Sequence, residues 1–219
     1  MALEIYPSLM SADQLNLQKV LTTFDQLCPG YHLDIMDGHF VPNLTWGPRL
    51  VNAVAAATDR AIWVHLMVDD PLIWIERFEL PVDSAVSFHF ESPVDHNFVI
   101  ERIKEKGWRA GLALRPKTHA EKISKLVDSI DHIVVMSVDP GFSGQQFLPD
   151  VLTKVDWLRK YREQKGLRYS IDMDGGVDRA TISELARRGV DRVAIGSGIF
   201  KMHDPVAALH ELQRLLTGS

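Results

Sequence analysis

The chain has 219 residues, 46% hydrophobic and 24% charged, with a formal net charge of −5, which suits one large folded core and excludes a disordered chain. The acidic balance and scattered Lys and Arg predict no nucleic-acid partner, while backbone N–H groups can still hold a small anion. The lone Cys28 permits no internal disulfide, no apolar run approaches the roughly 20 residues of a membrane span, and no secretory signal is visible, so a soluble, cytoplasmic protein without a membrane partner is expected.

Short apolar runs rich in β-branched residues recur in chain order at 3–7, 31–36, 62–67, 84–89, 109–114, 132–136, 168–173 and 192–195. Amphipathic segments of helical length alternate with them, at 12–27, 48–57, 71–78, 95–106, 118–127, 149–164, 178–188 and 205–216. Pro48, Pro71 and Pro205 suit a first helical turn, and Thr118 and Asp178 suit N-caps. Gly30, Gly107, Gly166 and Gly189 stand where helices would end. Strict β–α alternation implies a parallel sheet, and eight units in this length imply an α/β fold built as a single (β/α)8 TIM barrel, one domain over 1–219. A doubly wound open sheet would want a glycine-rich dinucleotide turn after an early strand, and Ser8-Leu9-Met10-Ser11 is not one.

Barrel chemistry sits at the C-terminal ends of strands. His32 and Asp34 are two apart and leave the same strand face, His65 ends the third run and Asp174 follows the seventh. The His-x-Asp spacing alone is weak, because a lone strand His or Asp more often makes a buried hydrogen bond. Together the four residues form a His2Asp2 set that suits zinc, manganese, iron or cobalt better than calcium or magnesium. Gly175-Gly176 and Gly196-Ser197-Gly198 follow the last two strands, where barrels often bind phosphate, and Asp139-Pro140-Gly141-Phe142-Ser143-Gly144-Gln145 could close over a ligand.

Beyond these features, the stretches Pro7-Ser8-Leu9-Met10-Ser11-Ala12-Asp13, His32-Leu33-Asp34-Ile35-Met36-Asp37-Gly38-His39-Phe40-Val41-Pro42-Asn43 and Val64-His65-Leu66-Met67-Val68 stand in order with Met136-Ser137-Val138-Asp139-Pro140-Gly141-Phe142 and Asp174-Gly175-Gly176. In these the chain resembles the ribulose-phosphate 3-epimerases almost from end to end. The resemblance implies a metal-dependent isomerase that inverts carbon 3 of D-ribulose 5-phosphate through an enediolate, with D-allulose 6-phosphate as the alternative sugar. It implies one divalent ion, zinc first, on His32, Asp34, His65 and Asp174, with Asp34 and Asp174 as the two acid/base carboxylates. Ser8, His65, Gly141, Phe142, Ser143, Gly144, Asp174, Gly175, Gly176, Gly196 and Ser197 would contact a ketose phosphate, the last four of them near its phosphate, and the chain would form a homo-oligomer. Arg115-Pro116-Lys117-Thr118-His119 departs from the usual Asn-Pro-x-Thr-Pro loop, as do Ser143, Trp46 and Met173 from commoner residues; these leave the reaction type intact and bear on the sugar.

Met36 and Met67 lie two residues past proposed ligands, where soft apolar side chains would keep water from an enediolate. Asp37 and His39 are expected in loop hydrogen bonds; Arg115 could reach the mouth after the fifth strand, though long basic side chains are usually solvated. His89 ends the fourth run without an obvious partner, whereas His96, His119, His132, His203 and His210 read as surface or helix residues. A barrel decarboxylase or aldolase would want a lysine at a strand end, and none is present. A mere sugar-phosphate sensor would not need both Asp34 and Asp174.

Overall fold

Strands covered on both faces are buried along their length, as Gly30–Met36 is without a break even at His32 and Asp34. In the computed structural model, which describes residues 3–217, eight such strands form one sheet. They are Glu4–Pro7 (β1), Gly30–Met36 (β2), Ala61–Met67 (β3), Ala85–His89 (β4), Arg109–Leu114 (β5), His132–Met136 (β6), Ser170–Asp174 (β7) and Arg192–Ile195 (β8). All pair in parallel in the order β1-β8-β7-β6-β5-β4-β3-β2, and the remaining seam between β1 and β2 is drawn together by a parallel bridge from Ser8 to His32. This is the expected (β/α)8 barrel.

The helices are Leu17–Phe24 (α1), Pro48–Ala56 (α2), Leu72–Ile75 (α3), His96–Glu105 (α4), Leu152–Lys165 (α5), Ile182–Arg188 (α6), Ser197–Phe200 (α7) and Pro205–Thr217 (α8). Pro48 opens α2 as expected, and the Asp95 carboxylate caps α4 by accepting from the Asn97 and Phe98 amides. The Asp178 carboxylate accepts from the amides of Ala180 and Thr181 ahead of α6.

Several expected helices are shorter. Asp13 caps a separate 3-10 turn, Gln14–Asn16, so α1 starts only at Leu17. The segment 71–78 holds only the single turn of α3, with Pro71 at its N-cap instead of inside its first turn. The segment 118–127 is not an α-helix but contains the 3-10 turns Ala120–Ile123 and Val127–Ser129; the Thr118 hydroxyl, expected to cap it, donates instead to Glu91. Gly30 does not end a helix: it is the first residue of β2. A Cβ there would lie 2.4 Å from the Ala61 carbonyl oxygen and 2.5 Å from the Tyr6 ring, so the bare backbone lets Tyr6 pack into the barrel base.

Two apolar cores result. Leu33, Ile35, Val64, Leu66, Val86, Ile133 and Val193 face outward and pack with the helices. Tyr6, Trp63, Ala85, Ala113, Val134, Met136 and Ala194 fill the barrel itself. Met36, Val41 and Met67 form a small third cluster, with Met10 and Phe40 against it.

Candidate active site and metal centre

Period-two geometry sends His32 and Asp34 of β2 to the same face, and the register sets Asp34 opposite His65 of β3. Asp174 ends β7, three places from β2 around the barrel by way of β8 and β1, so the two carboxylates come from strands that are not neighbours. One ligand atom from each of His32, Asp34, His65 and Asp174 lies within 4.8 Å of the others, and all four residues are buried. His65 Nδ1 is 3.1 Å from Asp174 Oδ2 and 3.5 Å from Asp34 Oδ1, and His32 Nδ1 is 3.5 Å from Asp34 Oδ2. Bonds of 2.0–2.2 Å to a tetrahedral ion space its ligands about 3.4 Å apart, so the donor set fits a divalent metal in spacing and in chemistry.

The Ser8 hydroxyl donates to Asp34 Oδ2 at 2.9 Å, fixing that carboxylate. Burial opposes its charge, yet the His32 and His65 imidazoles hold the Asp34 carboxyl well below the usual carboxylate range. Burial likewise opposes a proton on His65, but its contacts with Asp174 and Asp34 outweigh that and raise it to about 9. Without metal the cluster therefore keeps a proton where a cation fits, and metal uptake would release it.

Above the four lies a pocket whose lining includes Ser8, Met10, Asp34, Met36, Met67, Met136, Asp174 and Val177, with residues 140–145, Gly175, Gly176, Gly196 and Ser197 at its rim. His32 and His65 are fully buried and do not line it. Gly141, Phe142, Ser143 and Gly144 belong to a braced loop: Asn43 donates to the Gly141 carbonyl at 2.7 Å, and Gln145 to those of Asp139 and Phe142. Gly176 has a φ of +62°, and a Cβ on it would lie 2.7 Å from the Phe147 backbone nitrogen, so glycine is what permits the approach.

The comparisons with known proteins agree with this geometry. A family model described as "Ribulose-phosphate 3 epimerase family" matches residues 4–200. The chain belongs to this family. It is 37% identical to the ribulose-phosphate 3-epimerase of Mycobacterium tuberculosis, over 96% of this chain and 91% of that protein. It is 36% identical to the one from Helicobacter pylori, over 97% and 98% of the two chains. Among solved structures, orotidine 5'-monophosphate decarboxylase from Sulfolobus solfataricus superposes with a TM-score of 0.69 at 14% identity, covering 99% of this chain and 98% of that one, which speaks to the barrel fold alone.

Around the epimerase-family centre, Asp37 and His39 do serve the loop. Asp37 accepts from the amides of His39, Phe40 and Asp69, and His39 Nδ1 lies 3.0 Å from the Asp37 carbonyl oxygen. His89 has partners after all: it is fully buried, with Nε2 3.0 Å from His65 Nε2 and Nδ1 3.1 Å from Glu91 Oε2. Burial brings His89 down to about 4, against the pull of Glu91, so it is neutral. Arg115 is not simply solvated: its guanidinium lies over the Phe40 ring and donates to the Phe40 carbonyl at 2.9 Å.

His132 is the clearest correction. Expected on the surface or in a helix, it opens β6 and is fully buried inside the barrel, with neither ring nitrogen hydrogen-bonded. Burial, and then the charge of Arg192, hold its imidazole well below the ordinary value and therefore neutral. It shares the floor with an ion pair that the sequence reading missed. Arg192 Nε donates to Asp172 Oδ1 at 3.1 Å and its terminal nitrogen to Oδ2, while the guanidinium packs over the rings of Tyr6 and Trp63.

No helix among the described residues is long and apolar enough to cross a membrane.

Proposed function

We propose that this chain, acting as one barrel domain over 1–219, interconverts D-ribulose 5-phosphate and D-xylulose 5-phosphate by epimerising carbon 3. The observation that carries this is the convergence of His32, Asp34, His65 and Asp174 beneath a glycine-rimmed pocket, in a chain of this family.

In this reading those four residues hold one divalent ion, zinc before iron, manganese or cobalt. When bound, the ion supplies Lewis acidity to the substrate oxygens, which is worth several kcal/mol. The ionised member of the Asp34/Asp174 pair removes the C3 proton on one face, and the C–H electron pair passes into the enediolate. The protonated member returns a proton to the opposite face. The Ser8 hydrogen bond keeps Asp34 in line for its share. Met10, Met36, Met67 and Met136 wall the pocket with side chains that exclude water and offer no competing proton. Ser8, Gly141, Phe142, Ser143 and Gly144 flank the sugar. The backbone amides at Gly175, Gly176, Gly196 and Ser197 take the phosphate, where the pocket is rimmed by glycine. His65 acts from below as a ligand. We place the enzyme in the cytoplasm, whose reducing conditions the lone Cys28 suits, and as a homo-oligomer, as its family resemblance implies.

The test is proton NMR in D2O of the chain with D-ribulose 5-phosphate and, separately, D-allulose 6-phosphate, with and without chelator. Metal-dependent loss of the C3 proton signal with epimer formation is the expected result, faster on the pentulose. No exchange on either sugar with divalent ion restored would refute the assignment.

A further inference from the structure

A neutral imidazole carries one proton on two nitrogens, so hydrogen-bonded histidines permit only certain proton arrangements. Such a chain runs from His65 away from the pocket. His65 Nε2 meets His89 Nε2 at 3.0 Å, and His89 Nδ1 meets Glu91 Oε2 at 3.1 Å. The other Glu91 oxygen, Oε1, accepts from the Arg115 backbone N–H at 3.0 Å and from the Thr118 hydroxyl. That backbone N–H can only donate, so the far end of the chain is fixed. Carboxylate Oε2 can only accept, so His89 must carry its proton on Nδ1. Its Nε2 is then a bare acceptor, and His65 must place a proton on Nε2 to meet it. In neutral His65 the free lone pair is therefore on Nδ1, the nitrogen that faces Asp34 Oδ1 and Asp174 Oδ2.

The rings are held in this geometry. The His89 and His65 rings meet edge to edge and nearly coplanar, centroids 5.0 Å apart and inclined by 25°, and His89 lies 4.7 Å from the Phe40 ring, which Arg115 covers from beyond. We infer that Glu91 and His89 are positioning residues that dictate the tautomer of His65 and so keep its Nδ1 open to the divalent ion. The inference rests on the metal-centre reading above. Residues that orient a metal-bound histidine in this way typically contribute 10–100-fold to metal affinity.

Glu91→Gln separates this role from packing because it keeps shape. The glutamine oxygen must stay with the Arg115 N–H, so its NH2 turns to His89 Nδ1 and donates. His89 is then protonated on Nε2, and His65 is forced to carry its proton on Nδ1, where it blocks the ion. The full chain is titrated with Zn2+ and Co2+ against a chelating dye, and histidine tautomers are read by 15N NMR of the metal-free protein at alkaline pH. The expected result is binding about 10–100-fold weaker in E91Q, with His65 protonated on Nδ1. The double variant H89F/E91Q, in which no imidazole dictates the choice, binds more tightly than E91Q alone. Affinity of E91Q within about twofold of the unaltered chain, or His65 still protonated on Nε2, overturns the inference. So does a double variant that folds and binds no better than E91Q; if it does not fold, the NMR tautomer decides. An unaltered chain that binds neither ion overturns this inference and the metal reading together, whereas normal binding by both the unaltered chain and E91Q sinks this one alone.

Discussion

Asp34→Asn tests the two-carboxylate reading at a side chain that is 7% exposed. Its Oδ2 accepts from Ser8 at 2.9 Å and its Oδ1 lies 3.5 Å from His65 Nδ1. Asparagine offers one acceptor oxygen in place of two, so either the Ser8 contact or the face toward His65 meets an amide NH2. The side chain can no longer take or return a proton at pH 7. General acid–base catalysis contributes about 10²–10⁴-fold, which at 1.36 kcal/mol per tenfold is about 2.7–5.4 kcal/mol of barrier. With the ion kept saturating to offset the weaker ligand, kcat for net epimerisation should fall by about a thousandfold. Asp174 remains, and it serves one face. In D2O the variant should therefore exchange the C3 proton of one epimer without forming the other, and Asp174→Asn should do so with the opposite epimer. Proton NMR started from each purified epimer reads both quantities. Either variant keeping kcat within about tenfold of the unaltered enzyme would refute the reasoning. Both variants exchanging the same epimer would refute it as well.

Arg192→Met strands the fully buried Asp172 and should cost about 3–5 kcal/mol, lowering Tm by about 6–20 °C at the usual 2–4 °C per kcal/mol for this size. Burial already raises Asp172 above its ordinary value even with Arg192 beside it; without that guanidinium the charged form has no partner, so the deficit should grow as pH rises from the acid range, and a deficit that ignores pH would contradict this. Burial pushes Glu91 up, but His89, Thr118 and the Arg115 amide bring it down to about 2 from 4.5. Its folded value lies below its unfolded one, so its stabilisation is complete above pH 4.5 and lost as pH falls toward 2; E91Q should have a flatter stability curve in that window, and parallel curves would count against it. Gly176→Ala meets the Phe147 backbone at 2.7 Å and should raise KM for the sugar phosphate more than it lowers kcat in steady-state assays. Chelation should stop C3 exchange and lower Tm, since an ion at 100 times its Kd contributes about 2.7 kcal/mol; calorimetry showing the same Tm with and without ion would argue against the site.

The barrel and the convergence of His32, Asp34, His65 and Asp174 were legible because each rests on a local pattern. Strand–helix alternation needs only hydrophobic periodicity, and His32 with Asp34 needs only the two-residue repeat of a strand. His132 was misread because its burial depends on Gly111, its register partner on β5: a Cβ at Gly111 would lie 2.1 Å from the His132 ring. No local pattern encodes that vacancy. Glu91 passed unnoticed because an acid just past a strand usually sits in solvent, and only β4 and the loop after β5 together give it donors. The segment 118–127 has helical periodicity, but its intended cap is committed to Glu91, and periodicity does not register such competition.

Two aspartates on β7 show how the fold assigns different work to one residue type. Asp172 and Asp174 are two apart, so both side chains enter the barrel. The register sets Asp172 opposite Arg192 and Asp174 opposite Ala194 on β8. The lower carboxylate is thereby neutralised by a guanidinium wedged among aromatic rings, and it serves as floor. The upper one meets a methyl group on β8 and turns to His65, leaving its charge available to a cation or a proton. Exchanging the residues at 192 and 194 would place an arginine beside the His–Asp cluster and strand Asp172 below it. The order Arg-Val-Ala along β8 thus separates the structural end of the barrel from its chemical end as much as the aspartates themselves do.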